Sequence, residues 1–136
     1  MPQLVPVGTA VAEFEPTPIT DAEAAAMFRA CVNLFKKWDL SDAEAAVLLD
    51  TAARTYGRWK SGDLGRLGRD QKARLSNLMG VHKALRIIFR EPERAYGWVR
   101  QPNRAFGMRT ALDVMLDGEL TDIMRVRRYL DAERGG

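Results

Sequence analysis

Cysteine and histidine are almost missing from this sequence of 136 residues, which has one of each, Cys31 and His82. One cysteine cannot form an intramolecular disulfide, and one histidine without further histidines or cysteines cannot complete the usual zinc ligand sets. Each lies at helical spacing from apolar residues, so we expect Cys31 to be a buried small hydrophobe and His82 a hydrogen-bonded core residue. The sequence therefore predicts no disulfide scaffold, no metal centre, no cofactor and no catalysis by His82.

Long apolar runs, strand patterns and catalytic motifs are also missing. No stretch approaches the roughly eighteen apolar residues that cross a bilayer, and no basic start precedes an apolar run, so a cytoplasmic location is expected. No strand-like pattern persists, no repeat is visible, and no glycine-rich phosphate loop follows a strand. No nucleophile lies beside a base, and no pair of carboxylates is placed so that the pKa of one of them would be shifted. We expect an all-α protein that is not an enzyme.

Charge is distributed unevenly along the chain, although the net charge is only +3. The net charge is −5 for residues 1–53, +10 for residues 54–109 and −2 for residues 110–136. A basic middle between acidic ends indicates a surface that faces a polyanion, with the flanks meeting a different partner. A solvated helix face explains the same pattern, and charge alone leaves the two interpretations about even.

Residues 1–19 contain four of the six prolines and keep no helical or strand period, which predicts a flexible N-terminal arm. The capping box Thr20-x-x-Glu23 then begins a helix. Seven residues share its apolar face: Ala24, Met27, Phe28, Cys31, Leu34, Phe35 and Trp38. This face should be buried.

A second capping box, Ser41-x-x-Glu44, opens a stretch that resembles a helix-turn-helix of the Xre kind, ending at Gly62. Asp50 occupies the tight turn where glycine is usual, and aspartate tolerates positive φ better than most residues. The second helix, about residues 52–60, would enter the major groove of DNA. The alternative is a degenerate helix-turn-helix that is kept only for packing or dimerisation.

The expected DNA-binding residues are Arg54, Thr55, Arg58 and Lys60. Arg54 and Arg58 are the strong candidates for base contact, because arginine can bind guanine through two hydrogen bonds. Thr55 and Lys60 lie near the edges of the helix. We expect Lys60, with Arg66, Arg69 and Lys72, to meet phosphates instead.

The next part of the chain predicts a long helix over residues 69–90. Its apolar stripe is Leu75, Leu78, Met79, His82, Leu85, Ile88 and Phe89, with Arg74 among the residues expected on other faces. Pro92 breaks this helix and starts a short one through Trp98 and Val99, which Pro102 stops.

The C-terminal stretch has a turn at Pro102-Asn103, a short apolar helix over residues 110–116 that stops at Gly118, and a last helix nearly to the chain end. The pattern Pro102-Asn103, Phe106, Arg109-Thr110-x-Leu112-Asp113, Met115-Leu116-x-Gly118, Val126-Arg127-x-Tyr129-Leu130 resembles the toxin-binding domain of the Xre/MbcA/ParS family of bacterial antitoxins. Met108 and Ala111 depart from the family, in which a small residue and proline are common. The implied domains are a helix-turn-helix bundle at 20–67 and a small helical toxin-binding domain at 68–136.

The resemblance implies an antitoxin that neutralises a cognate RES-domain toxin, which degrades NAD or transfers ADP-ribose. It further implies that the C-terminal segment covers the active-site cleft of the toxin, and the toxin-binding residues would be Arg125, Arg128, Tyr129, Arg134, Gly135 and Gly136. Operator binding would regulate its own operon, and a homodimer within a toxin–antitoxin hetero-oligomer is expected because one helix-turn-helix reads a half-site. The alternative is a stand-alone helix-turn-helix repressor with a helical dimerisation domain.

Overall fold

The computed structural model describes residues 17–135, and these residues form an all-α fold, as the sequence predicted. The α-helices are α1 (Asp21–Lys37), α2 (Asp42–Leu48), α3 (Ala53–Lys60), α4 (Arg69–Ile88), α5 (Pro92–Gly97), α6 (Ala111–Met115) and α7 (Leu120–Glu133). Two 3-10 helices, Trp98–Arg100 and Arg104–Phe106, connect α5 to α6. Most of the predicted arm, residues 1–16, lies outside the described residues, as does Gly136.

Helices α1 and α2 both begin with the predicted capping boxes. The Thr20 hydroxyl accepts from the Glu23 amide at 3.0 Å, and the Ser41 hydroxyl accepts from the Glu44 amide at 3.1 Å. Each glutamate side chain accepts in return from the backbone amide of its capping residue. Such caps satisfy amides that have no partner inside the helix, and each contributes about 1 kcal/mol.

The helix-turn-helix is tight because both of its helices end on a residue in the left-handed conformation. Asp50 follows α2 with φ of 52°, and Gly62 follows α3 with φ of 110°. At the first end the Thr51 amide donates to the Ala46 carbonyl at 2.9 Å, which reverses the chain directly. The aspartate therefore takes the conformation for which glycine is usual.

Helix α4 lies in the centre of the fold, with α1 and α7 both packed against it. Its buried residues include Leu75, Leu78 and Leu85 from the predicted stripe, and also Val81 and Ala84, which the prediction left out. The buried apolar residues form one continuous cluster, so the boundary predicted at residues 67 and 68 falls inside a shared core and stays a prediction. No helix of residues 17–135 is both long and apolar enough to span a membrane.

Arg74 corrects one expectation, since it was placed on another face of α4 and is instead only 3% exposed. Its Nε donates to Asp70 at 2.7 Å, and its Nη1 donates to the carbonyl of Leu48 at 3.2 Å. The last carbonyls of α2 have no partners within that helix, and α4 crosses this end. The buried guanidinium is therefore stable here, because it donates hydrogen bonds to these carbonyls at the end of α2.

Helix α7 packs on α4 through Ile123, Val126 and Leu130, which are buried, and Arg127 lies at the edge of this contact. The Arg127 side chain passes over Gly80, where an added Cβ would collide with the guanidinium. Helical spacing in the sequence predicted Leu120, Ile123, Met124, Arg127 and Leu130 on one side of this helix, and Val126 is a buried residue that the prediction left out. Gly80 thus leaves room for the Arg127 side chain to lie across α4.

Candidate functional site

Helix α3 is held on the core by two buried aromatic side chains. Tyr56 and Trp59 both meet Phe28 of α1 edge to face, with ring centroids 6.0 Å apart in each pair. Because these side chains fix one side of the short helix, its opposite side faces solvent, and Arg54 and Arg58 are exposed there. A recognition helix needs this orientation to reach base edges.

The two arginines differ in their surroundings. Within residues 17–135, no carboxylate oxygen lies within 4.0 Å of Arg54, whereas Arg58 Nε lies 3.6 Å from Asp63 Oδ2. The side chains of Arg58 and Asp63 are 59% and 75% exposed, so this ion pair contributes little and can open. Thr55 is half-buried. Arg54 is thus the more readily available of the two for DNA.

The lysines expected to meet phosphates are held by carboxylates of this chain. Lys60 Nζ lies 2.7 Å from Asp42 Oδ1, and Lys72 Nζ lies 2.9 Å from Asp21 Oδ1. The hydrogen bond from Lys72 is the main reason why the pKa of Asp21 is lowered. Arg66 Nε lies 4.0 Å from Asp21 in a more exposed pair. A phosphate would have to replace these partners.

The helix-turn-helix as a whole is not basic. Residues 41–63 contain three basic and four acidic side chains. Asp42 and Glu44 lie in the first turn of α2, where their negative charges interact favourably with the helix dipole. They also occupy the positions at which phosphates approach helix N-termini. Strong attraction to a polyanion therefore requires cations from outside this segment.

An aromatic patch next to α7 is made by the half-buried Trp98 and Tyr129 and the buried Phe106, with Arg125 on it. The Tyr129 ring stacks on Trp98 at 6.0 Å with a 12° interplanar angle and meets Phe106 edge to face at 5.2 Å. The Arg125 guanidinium lies 5.2 Å from the centre of the Phe106 ring. Arg128 is exposed on the same helix. The structure thus combines Arg125 and Tyr129 in one preorganised surface.

Arg134 lies apart from this aromatic patch. Its Nε is 3.4 Å from Asp131 Oδ1, and the same carboxylate is 3.6 Å from Arg127 Nε. The Arg134 Nε is buried without a hydrogen bond, so the contact is an ion pair with poor hydrogen-bond geometry. Gly135 is exposed with φ of 91°, and Gly136 lies outside the described residues. The predicted toxin-binding residues therefore fall into two groups.

Sequence reasoning missed Trp98 and Phe106 as parts of this site, because they lie on two separate 3-10 helices. The spacing of Arg125 and Tyr129, one helical turn apart, was the available signal. An ion pair next to the site was missed as well. Arg109 donates to both carboxylate oxygens of Asp117 at 2.8 Å, which fixes the ends of α6 and lowers the pKa of Asp117.

The lone histidine and cysteine occupy structural positions. His82 is half-buried, stacks on Tyr96 and lies 3.2 Å from its hydroxyl, which agrees with the predicted hydrogen bond, although at the edge of the core. Burial, and then the charge of Arg86, lower the pKa of His82. Cys31 is fully buried as predicted, and burial raises the pKa of its thiol. No group of three or more possible metal ligands comes together in residues 17–135.

Comparison with known proteins extends these observations. The protein y4oB of Sinorhizobium fredii (strain NBRC 101917 / NGR234), an uncharacterized protein, is 53% identical over 72 residues, which cover 53% of this chain and 56% of that protein. A chain in the crystal structure of the M. tuberculosis MbcT–MbcA toxin–antitoxin complex superposes with a TM-score of 0.54. That superposition covers 81% of this chain and 92% of the other at 24% identity, and it shows a shared fold.

Two family models match adjacent parts of the chain. The antitoxin Xre-like helix-turn-helix domain matches residues 17–80, and the antitoxin Xre/MbcA/ParS C-terminal toxin-binding domain matches residues 84–136. The first match contains α1, α2 and α3, and the second contains the aromatic patch and α7. Since the two models together match most of the chain and belong to the same kind of protein, the chain belongs to the Xre/MbcA/ParS family of antitoxins.

Proposed function

We propose that this protein binds and neutralises a cognate RES-domain toxin, which degrades NAD or transfers ADP-ribose, by covering its active-site cleft. The observation that carries the proposal is the outer face of α7, where the exposed Arg125 and Arg128 lie with the half-buried Tyr129, inside the stretch matched by the toxin-binding family model. Tyrosine, tryptophan and arginine provide most hot spots of protein interfaces. The aromatic patch adds a rigid surface to them.

The chemistry of the two groups of residues suits different tasks. Arg125 and Arg128 present guanidinium groups that can bind carboxylates of the toxin through paired hydrogen bonds. The segment from Arg134 to Gly136 ends in two glycines, which have no side chains to clash in a narrow cleft. In this proposal the aromatic patch holds the toxin body, and residues 134–136 enter the cleft.

DNA binding is the second half of the proposal. A homodimer would place two copies of α3 in successive major grooves of an operator and repress the operon in the cytoplasm. The exposure of Arg54 and Arg58 supports base contact, and Thr55 and Lys60 flank them. Lys60 must release Asp42 to bind a phosphate.

Co-expression with the toxin gene encoded beside it tests the toxin-binding half. We expect rescue of growth and co-purification of the two proteins, and loss of both with the Arg125→Ala/Tyr129→Ala variant. Arg104→Ala is the matched control, because Arg104 is an exposed arginine of the same domain outside the patch. Absence of any toxic neighbour or complex would favour the stand-alone repressor.

Deletion of residues 134–136 tests the role of the tail. We expect the shortened protein to lose inhibition of the toxin while its helical content and DNA binding stay unchanged. Inhibition at equal stoichiometry by the shortened protein would assign neutralisation to the body of the domain.

A further inference from the structure

The outer side of α1 connects the end of the recognition helix to α4 and α5. Arg29 and Asn33 line a hollow of about 450 Å³ together with Lys60 at the end of α3. Asn33 also lines a second hollow of about 210 Å³, together with Lys37 and with His82 of α4 and Tyr96 of α5. Because Asn33 lines both hollows, they lie next to each other on the surface of α1.

Tyr96 gathers cations at the far end of this surface. Lys37 Nζ lies 5.2 Å and Arg86 Cζ lies 6.0 Å from the centre of its ring. His82 stacks on the same ring at 5.8 Å, with an interplanar angle of 18°. The ring is thus occupied by side chains of this chain, so an incoming ligand meets the ammonium and guanidinium groups and not an open face for base stacking.

The charges of these side chains are not neutralised within the described chain. Among residues 17–135, no carboxylate oxygen lies within 4.0 Å of Arg29, Lys37 or Arg86, and all three are exposed. Lys60 and Lys72, which the sequence favoured as phosphate contacts, are both held in ion pairs. Besides Arg54 on α3, cations on α1 and α4 are therefore available to a polyanion.

The spacing of this surface fits a nucleic-acid backbone. Arg29 and Lys37 are eight residues apart in α1, and eight residues of α-helix rise by about 12 Å. One strand of a duplex carries a phosphate about every 3.4 Å along the axis, so several phosphates face this length. Asp39 and Glu93 line the groove beyond Tyr96, and their charge limits the surface at that end.

We propose that Arg29, Lys37 and Arg86, with the Asn33 amide, form a phosphate-binding band that holds duplex DNA next to the site contacted by α3. The band is independent of base sequence, since guanidinium and ammonium groups at phosphates carry no sequence information. It supplies the attraction that the helix-turn-helix, with more acidic than basic residues, does not. The inference rests on the DNA-binding half of the proposed function.

The experiment compares two variants of the full chain that each lose two exposed positive charges. Lys37→Gln/Arg86→Gln removes part of the band, and Arg94→Gln/Arg104→Gln removes two arginines that line neither hollow. Binding is measured by fluorescence anisotropy over a series of salt concentrations. The probes are a duplex from upstream of the gene and a shuffled duplex of equal length, and circular dichroism confirms folding.

The band variant should bind both duplexes more weakly by the same factor, and its plot of log Kd against log salt should be less steep by about 2. The control should match the wild type. If the band variant keeps the wild-type slope of log Kd against log salt, the band is overturned. This holds even if Arg54→Ala abolishes the preference for the upstream duplex, a result that supports operator reading.

Two other outcomes separate the inference from the proposed function. Equal wild-type binding to both duplexes, weakened by the band variant, supports the band while operator reading fails. If the band variant binds DNA like the wild type but no longer co-purifies with the toxin, these cations contact an acidic face of the toxin, and the band is overturned. Wild-type protein that binds neither duplex overturns both.

Discussion

The recognition helix α3 and the last helix α7 both carry arginines, but packing makes their surfaces different. On α3, Arg58 and Lys60 lie against carboxylates from neighbouring segments. In the α7 region the ion pairs involve Arg127 and, just after the helix, Arg134, whereas Arg125 lies on an aromatic ring. The formal charge of a segment is therefore not the charge that it presents to a partner.

The two helices also use aromatic side chains in different ways. Trp59 is buried and fixes α3 on the core, whereas Trp98 is half-buried and stacks on Tyr129 at the surface. A buried aromatic residue contributes to stability, and a half-buried one can contact a partner as well. This difference gives the largest expected effect.

Trp59→Ala should lower the free energy of unfolding by about 3 kcal/mol or more, because it removes a large buried side chain. Trp98→Ala should cost less stability, because its side chain is partly solvated, and it should weaken toxin binding more than Trp59→Ala does in molecules that remain folded. Urea unfolding and titration with toxin measure the two effects. Equal destabilisation by both changes would show that the patch is part of the core.

Arg74→Met tests the connection between α4 and the helix-turn-helix. Methionine keeps much of the volume but cannot donate to the Leu48 carbonyl or to Asp70. We expect a loss of about 2 kcal/mol, the usual range for charged hydrogen bonds to buried groups. Arg86→Met, at an exposed position of the same helix, is the control and should stay within about 0.5 kcal/mol. Equal stability of both variants would mean that water satisfies the end of α2.

Asp50→Gly should stabilise the protein by roughly 0.5–1 kcal/mol, because glycine takes positive φ without a steric cost. It should also tighten DNA binding, since it removes one acidic side chain next to α3. Asp50→Asn separates the two effects, because asparagine removes the charge and keeps a side chain. If Asp50→Asn leaves DNA affinity unchanged, the acidic residues of this turn do not oppose binding.

The smallest effect concerns pH, through one carboxylate in each half of the chain. Lys72 holds the pKa of Asp21, and Arg109 that of Asp117, below the ordinary value of 3.8. A lowered pKa in the folded state stabilises the protein above the unfolded value, and this contribution disappears as pH falls through the folded value. Asp117→Asn should therefore lower Tm at neutral pH, and its difference from the wild type should begin to shrink near pH 4 and disappear as pH falls through the lowered folded-state pKa. A constant difference in Tm down to pH 3 would contradict the prediction.

Much of the fold was predictable because its signals are local. The boxes at Thr20 and Ser41 act over three residues, and Gly62 ends α3 through its own backbone conformation. The apolar face of α1 was correct for the same reason, since helical spacing alone defines it. The 3-10 helix Arg104–Phe106 was missed because its single turn leaves no periodic pattern.

The candidate sites were predictable only in part. The sequence placed Arg54 and Arg58 outward on α3, since Tyr56 and Trp59 had to face the core. It could not show that Lys60 meets Asp42, or that Tyr129 meets Trp98, because these partners come from separate segments. The burial of Arg74 was hidden for the same reason.

The sequence by itself determined the α-helices, most of the buried side of each longer helix, and the family. Only the tertiary structure decided which cations are neutralised and which face solvent, as with Lys60 on one hand and Lys37 and Arg86 on the other. Helix formation depends on residues within about four positions along the chain. Electrostatic interactions depend on distance in space, and that distance is set when α1, α4 and α5 pack together.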